Sequence, residues 1–234
     1  MQLQPSRIHS ASSSTATGGA SVAVDEQALG VLRNTYRLLA MTLVFSAAVA
    51  ATSAALRLPY PGLLLTLGGY FGLLFLTSYL RNSVWGIAAV FGLTGFMGYT
   101  LGPLLAAYLS LANGASMITT ALGTTGAVFF ALSWYARREN AFNMLRFDTF
   151  LTIGILTGFC LALAAYFFAM PALAAAVSGL FVLLMAGLIL YQTQSILSGG
   201  ERNYITATVT LYVAVYNLFV SLLQLLGVFG AEEG

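Results

Sequence analysis

The chain carries little charge and almost none of the residues that do covalent or metal chemistry. Only 7% of its 234 residues are charged, against roughly 25% in ordinary soluble domains. It has no Lys, and all nine basic residues are Arg. That absence excludes a P-loop lysine, a pyridoxal Schiff base and a retinal Schiff base. The one histidine, His9, lies near the amino terminus, and the one cysteine, Cys160, lies inside an apolar run. Disulfides within the chain and Cys/His metal centres are excluded by count. A serine protease within the membrane would lack its histidine base. Cys160 itself reads as a small buried hydrophobe. With no nucleophile and base together in any apolar segment, neither an enzyme activity nor a cofactor is expected.

What is present is apolar. Hydrophobic residues make up 59% of the chain, and the mean hydropathy is +0.88. A helix needs roughly 20 apolar residues to cross the hydrocarbon core. Seven charge-free stretches of that order follow one another: Leu38 to Leu56, Pro61 to Leu80, Val84 to Leu109, Ala115 to Ala136, Thr149 to Met170, Ala172 to Tyr191 and Tyr204 to Phe229. The expected fold class is therefore an all-α integral membrane protein with seven transmembrane helices, whose first partner is the lipid bilayer. Residues 1–35, which include the polar string SASSSTATGGA, are expected to form a disordered cytoplasmic tail. Residues 36–230 are expected to form the transmembrane domain.

Arginine sets the expected orientation, because positive flanks stay on the cytoplasmic side. With the amino terminus inside, Arg7, Arg33, Arg37, Arg81, Arg137, Arg138, Arg146 and Arg202 are all cytoplasmic, and only Arg57 lies outside. Seven crossings then place the carboxyl terminus outside. The carboxylates near cytoplasmic helix ends, Glu139, Asp148 and Glu201, read as solvated flanking charges.

Small residues recur four apart at Gly68/Gly72, Gly98/Gly102 and Gly154/Gly158. Such spacing lets helix backbones approach closely, within one chain or between subunits. Pro103 follows Gly102 inside the third span and is expected to kink or break it. On a helical wheel, Thr206, Thr210, Asn217, Ser221 and Gln224 fall in one sector of about 60° on the seventh span. This polar stripe is expected to face the bundle interior, with Asn217 bonded to a neighbouring helix; it serves either as glue between helices or as the lining of a pore. Tyr204, Thr208, Tyr212 and Tyr216 form a second line at four-residue spacing. Gln192 and Ser195 share a face at the end of the sixth span. No Asp, Glu, Arg or His lies within any span.

Three strings carry a family resemblance. The segment FGLTGFMGYTLGPLL holds Gly98, Gly102, Pro103 and Leu105 in a G-x-x-x-G-P-x-L pattern, which resembles the signature of the transmembrane Bax inhibitor family. VLRNTYRLLAMTLVFSA, from Val31, and GGERNYITATVTLYVAVYNLFVSLLQLLG, from Gly199, look like the first and last helices of its bacterial YccA branch. The resemblance implies six helices around a central seventh. It also implies an inner-membrane protein that modulates the FtsH membrane protease. Other members of the family act as pH-sensitive calcium leaks through a pair of aspartates. Alignment of the strings puts Gln192 and Ala214 at those two positions, so neither carboxylate is present, and Ca2+ or H+ as a permeant ion remains the alternative to the protease modulator.

Overall fold

The computed structural model describes residues 16–137 and 144–232. His9, Arg7, Arg138, Glu139 and Glu233 lie outside the described residues, as do the first fifteen residues of the expected tail. Seven helices follow in order: α1 (Ala16–Ala55), α2 (Leu63–Leu80), α3 (Trp85–Leu109), α4 (Gly114–Tyr135), α5 (Met144–Phe167), α6 (Pro171–Leu197) and α7 (Tyr204–Glu232). All seven are long and apolar enough to cross a membrane, and each covers one of the seven apolar runs of the sequence, nearly or fully.

Helix α1 begins well before its apolar stretch. Ala28 and Leu32 are buried, and Leu32 packs with Ile196 and Ala207 at the adjoining ends of α6 and α7. These two residues stand four apart on one face, so the helix continues past the apolar run wherever it still has a surface to cover.

Helix α7 is the hub. It packs against α1, α2, α3, α4 and α6, whereas the backbone of α5 comes close only to α6 among the described residues. Ala207, Leu211, Ala214, Leu218 and Leu223 of α7 are all fully buried. Lipid tails are as apolar as leucine, so close packing rather than escape from water holds these faces together.

The glycine pairs show how that closeness is reached. A Cβ on Gly98 would stand 2.5 Å from the Ser46 carbonyl oxygen, and one on Gly102 would collide with the Ser53 side chain. Only glycine at these two points lets α1 lie against α3. Gly154 and Gly158 receive Leu184 and Phe181 of α6 in the same way, while Gly68 and Gly72 face open space. Two of the three pairs thus pack inside the chain. Helix α3 runs unbroken through Pro103, so the break that proline allows is absent; Ser53 replaces the bond that the proline removes, donating to the Tyr99 carbonyl at 3.0 Å.

The turns before α3 and before α7 meet at one end of the bundle. The Asn203 Oδ1 accepts the Ile205 and Thr206 amides at 2.9 and 3.2 Å, capping α7. Its Nδ2 donates to the Arg81 carbonyl and to Asn82 Oδ1. Glu201 accepts the Asn203 amide at 2.7 Å; the charge that reads in sequence as merely solvated has a bonding role in this turn.

Candidate functional site

Helix α7 presents different chemistry on its different sides. Its Thr208, Tyr212 side is deeply buried against α1 and α3. Thr208 Oγ1 donates to the Tyr204 carbonyl at 2.7 Å and lies 3.3 Å from the Thr35 carbonyl. The Tyr212 hydroxyl shares a 2.5 Å bond with Ser46 Oγ and lies 3.3 Å from the Thr94 carbonyl. Tyr212 is also stacked on Tyr216, with ring centroids 6.2 Å apart. The partner of this line on α1 is a seam of small polar residues, Thr35, Thr42, Ser46 and Ser53, all buried. Their spacing of seven, four and seven residues keeps them on one helix face. That spacing is visible in the sequence, although none of the sequence-based expectations rests on it.

The polar stripe occupies another side and is less enclosed. Thr206, Thr210 and Asn217 are half-buried, Ser221 is buried and Gln224 is exposed. Gln224 does join helices, accepting a 2.7 Å bond from Ser178 of α6 through its Oε1. Asn217 does not bond as expected: its Nδ2 donates to the Val213 carbonyl one turn back in its own helix, at 2.8 Å. The reason is local, since α5 makes no close contact with α7 and a cavity separates the two at this position.

Asn217 instead lines a cavity of about 580 Å³ between α2, α3, α5, α6 and α7. Val213 and Tyr216 share the α7 wall. Phe181, Met185 and Leu188 come from α6, and Phe71, Leu74, Ile155 and Phe159 are among the residues of the opposite wall. Gln192, Thr206, Thr210, Ser221 and Gln224 are not part of the lining, so the stripe does not form one continuous wall.

Gln192 and Ala214 are both buried. Gln192 Nε2 has no hydrogen-bond partner, and neither do Thr193 Oγ1, Thr206 Oγ1, Thr35 Oγ1, Tyr36 OH or Ser133 Oγ. Most buried polar groups in proteins are satisfied, so these orphans are costly features of the bundle. The signature residues have structural surroundings: Gly98 and Gly102 form the α1–α3 contact, and Leu105 packs beside Leu101 and Phe219. Cys160 is exposed on α5 rather than buried, because a helix with one neighbour turns most of its circumference to lipid. Among the described residues no three His, Cys, Asp or Glu side chains gather in a way that could hold a metal.

Comparison with known proteins adds two findings. Residues 29–231 match the family model described as inhibitor of apoptosis-promoting Bax1. Over 197 residues the chain is 49% identical to a protein of Escherichia coli K12 named modulator of FtsH protease YccA, covering 84% of this chain and 89% of that one. An uncharacterized Pseudomonas aeruginosa protein is 50% identical over 212 residues, or 91% of this chain and 95% of its own length. An uncharacterized membrane protein of Vibrio cholerae is 39% identical over 205 residues, covering 87% and 91% of the two chains.

Proposed function

The chain belongs to the Bax inhibitor family, and from that premise we propose that it is a non-enzymatic modulator of membrane-protein quality control that acts on the FtsH protease. The observation that carries this reading is its 49% identity, over most of both chains, to the Escherichia coli modulator of that protease. In this reading the protein resides in the inner membrane with its amino terminus in the cytoplasm and its carboxyl terminus in the periplasm. Eight arginines against one support that orientation. The amino-terminal part of α1 then continues beyond the bilayer on the cytoplasmic side. The residues before it, 1–15, offer a protease a segment to engage without disturbing the bundle.

The test compares the half-life of a membrane substrate of FtsH in three strains: wild type, a gene deletion, and a strain whose protein lacks residues 1–15. That truncation spares Ala28 and Leu32, the contacts that fix the start of the bundle. Altered turnover in the deletion strain is expected, and unchanged turnover in both mutants overturns the proposal. Reporter fusions at the carboxyl terminus check orientation: an alkaline phosphatase fusion is expected to be active and a green fluorescent protein fusion dark.

An ion leak gains no support from the geometry. Gln192 and Ala214 carry no charge at the positions of the family's aspartate pair, and no Asp or Glu lines the cavity beside Asn217.

A further inference from the structure

The cavity beside Asn217 has three properties that together point to its occupant. The first is its mouth. Helices α2 and α5 form two of its walls but do not pack against each other among the described residues. Among the described residues the edge-to-face pair Phe71 and Phe159, with ring centroids 5.9 Å apart, bridges them. Phe71 and Leu156 both line the cavity and are exposed on the outer surface, at 50% and 64%. The gap therefore opens sideways, at the level of the membrane spans, onto the surface that faces lipid.

The second property is dryness. The cavity is lined by six polar side chains, of which Tyr70 and Thr152 add hydroxyls and the other four bond within the walls. Thr66 Oγ1 donates to the Gly62 carbonyl and Thr100 Oγ1 to the Met97 carbonyl. The Tyr216 hydroxyl is hydrogen-bonded to Thr100, and Asn217 Nδ2 donates to the Val213 carbonyl. What remains facing the space is mainly methyl, thioether and ring surface from Leu67, Leu74, Phe96, Met185, Leu188 and Val213. Water needs two to four polar partners to reside in such a place, and apolar cavities stay dry without them.

The third property is shape. The lining residues run from Thr66 to Leu74 on α2 and from Thr152 to Phe159 on α5, which at the helical rise is about 10–12 Å along the helix axes. The volume of about 580 Å³ falls in the roughly 300–1,000 Å³ range of small-molecule sites. An apolar space of that length beside lipid holds part of an extended hydrocarbon chain.

We propose that this cavity is an intramembrane lipid site, in which one acyl chain of a bilayer phospholipid enters between α2 and α5 past Phe71 and Phe159 and lies against Leu188 and Val213. The site is independent of the protease reading; it concerns what fills the bundle, and it holds whether or not FtsH is the partner.

Two measurements on the full-length protein in phosphatidylethanolamine–phosphatidylglycerol vesicles test it. In the first, Trp85 and Trp134 are replaced by Phe and a single reporter is introduced as Leu188→Trp, with Leu183→Trp, on the outward face of α6, as the lipid-exposed control. Phospholipids brominated on their acyl chains are expected to quench the Leu188→Trp reporter to an extent comparable with the control, and aqueous iodide to leave it untouched. Quenching by iodide shows a water-filled path and overturns the proposal; quenching by neither reagent shows an empty cavity and overturns it equally. In the second, which needs no substitution, the wild-type protein is irradiated with a phospholipid bearing a diazirine on its acyl chain. Adducts of intact phospholipid mass are expected on Met185, Leu188 or Val213. Adducts confined to outward residues such as Leu64, Phe75 and Leu183 overturn the proposal.

Discussion

Ser53 of α1 donates a hydrogen bond to the carbonyl of Tyr99 in α3, the carbonyl that Pro103, four residues on, leaves without its helical donor. Gly102 makes room for the serine, since any side chain there would occupy the Ser53 position. The glycine–proline signature is thus half of a device whose other half is a serine on a different helix. Within a membrane no water can satisfy the freed carbonyl, so the donor must come from the protein.

That relationship predicts a non-additive pair of mutations. Ser53→Ala is expected to destabilise the protein by about 1 kcal/mol, read as a loss of resistance to unfolding in a denaturing detergent. In a Pro103→Ala background, whose new amide can reach the Tyr99 carbonyl itself, the same Ser53→Ala change is expected to cost much less. Equal costs in the two backgrounds would show that the serine acts only by packing.

Gly98→Leu is expected to disrupt the bundle more severely than Gly68→Leu. The first forces a side chain against the Ser46 backbone, while the second meets open space. Thermal unfolding in mild detergent should give a lower midpoint for Gly98→Leu and a near wild-type midpoint for Gly68→Leu; equal midpoints would remove the α1–α3 contact from the account.

Tyr212→Phe removes the hydroxyl shared by Ser46 and held near the Thr94 carbonyl. The ring stays, so any loss belongs to the hydrogen bonds and is expected to be about 1 kcal/mol. A double-mutant cycle with Ser46→Ala should show coupling, and strict additivity would count against the bond.

Gln192 and Ala214 should respond in opposite directions to substitution. Gln192→Leu removes a buried amide nitrogen that has no partner, and the change is expected to leave stability unchanged or to raise it by about 1–3 kcal/mol. Ala214→Asp places a carboxylate at a fully buried site, with an expected cost of about 2.5–3.5 kcal/mol. Both are read by thermal unfolding of the purified protein. A Gln192→Leu variant less stable than wild type would mean that the amide has a bound partner.

Asn203 joins two turns, and its two roles can be separated. Asn203→Ala loses the cap on α7 and the tie to Arg81 and Asn82, whereas Asn203→Asp keeps an oxygen for the cap and loses only the tie. Unfolding midpoints are expected to fall in the order wild type, Asp, Ala, with about 0.5–2 kcal/mol resting on the cap. An Asp variant no better than Ala would place the whole effect in the tie between turns.

The stretches read as membrane spans were legible because hydrophobic length is a property of sequence alone. So were the close-packing glycines at 98 and 102. What the sequence left open was which side of each helix faces inward. In water, burial sorts apolar from polar residues and leaves a periodic trace; in a bilayer the lipid-facing and core-facing sides are both apolar, and that trace fades. For this reason Cys160 read as buried and is exposed, and the Thr35, Thr42, Ser46, Ser53 seam of α1 did not stand out from its apolar run. The tertiary structure alone decided that α5 leans only on α6. That one placement leaves Asn217 facing a cavity and opens the cavity to the membrane between α2 and α5.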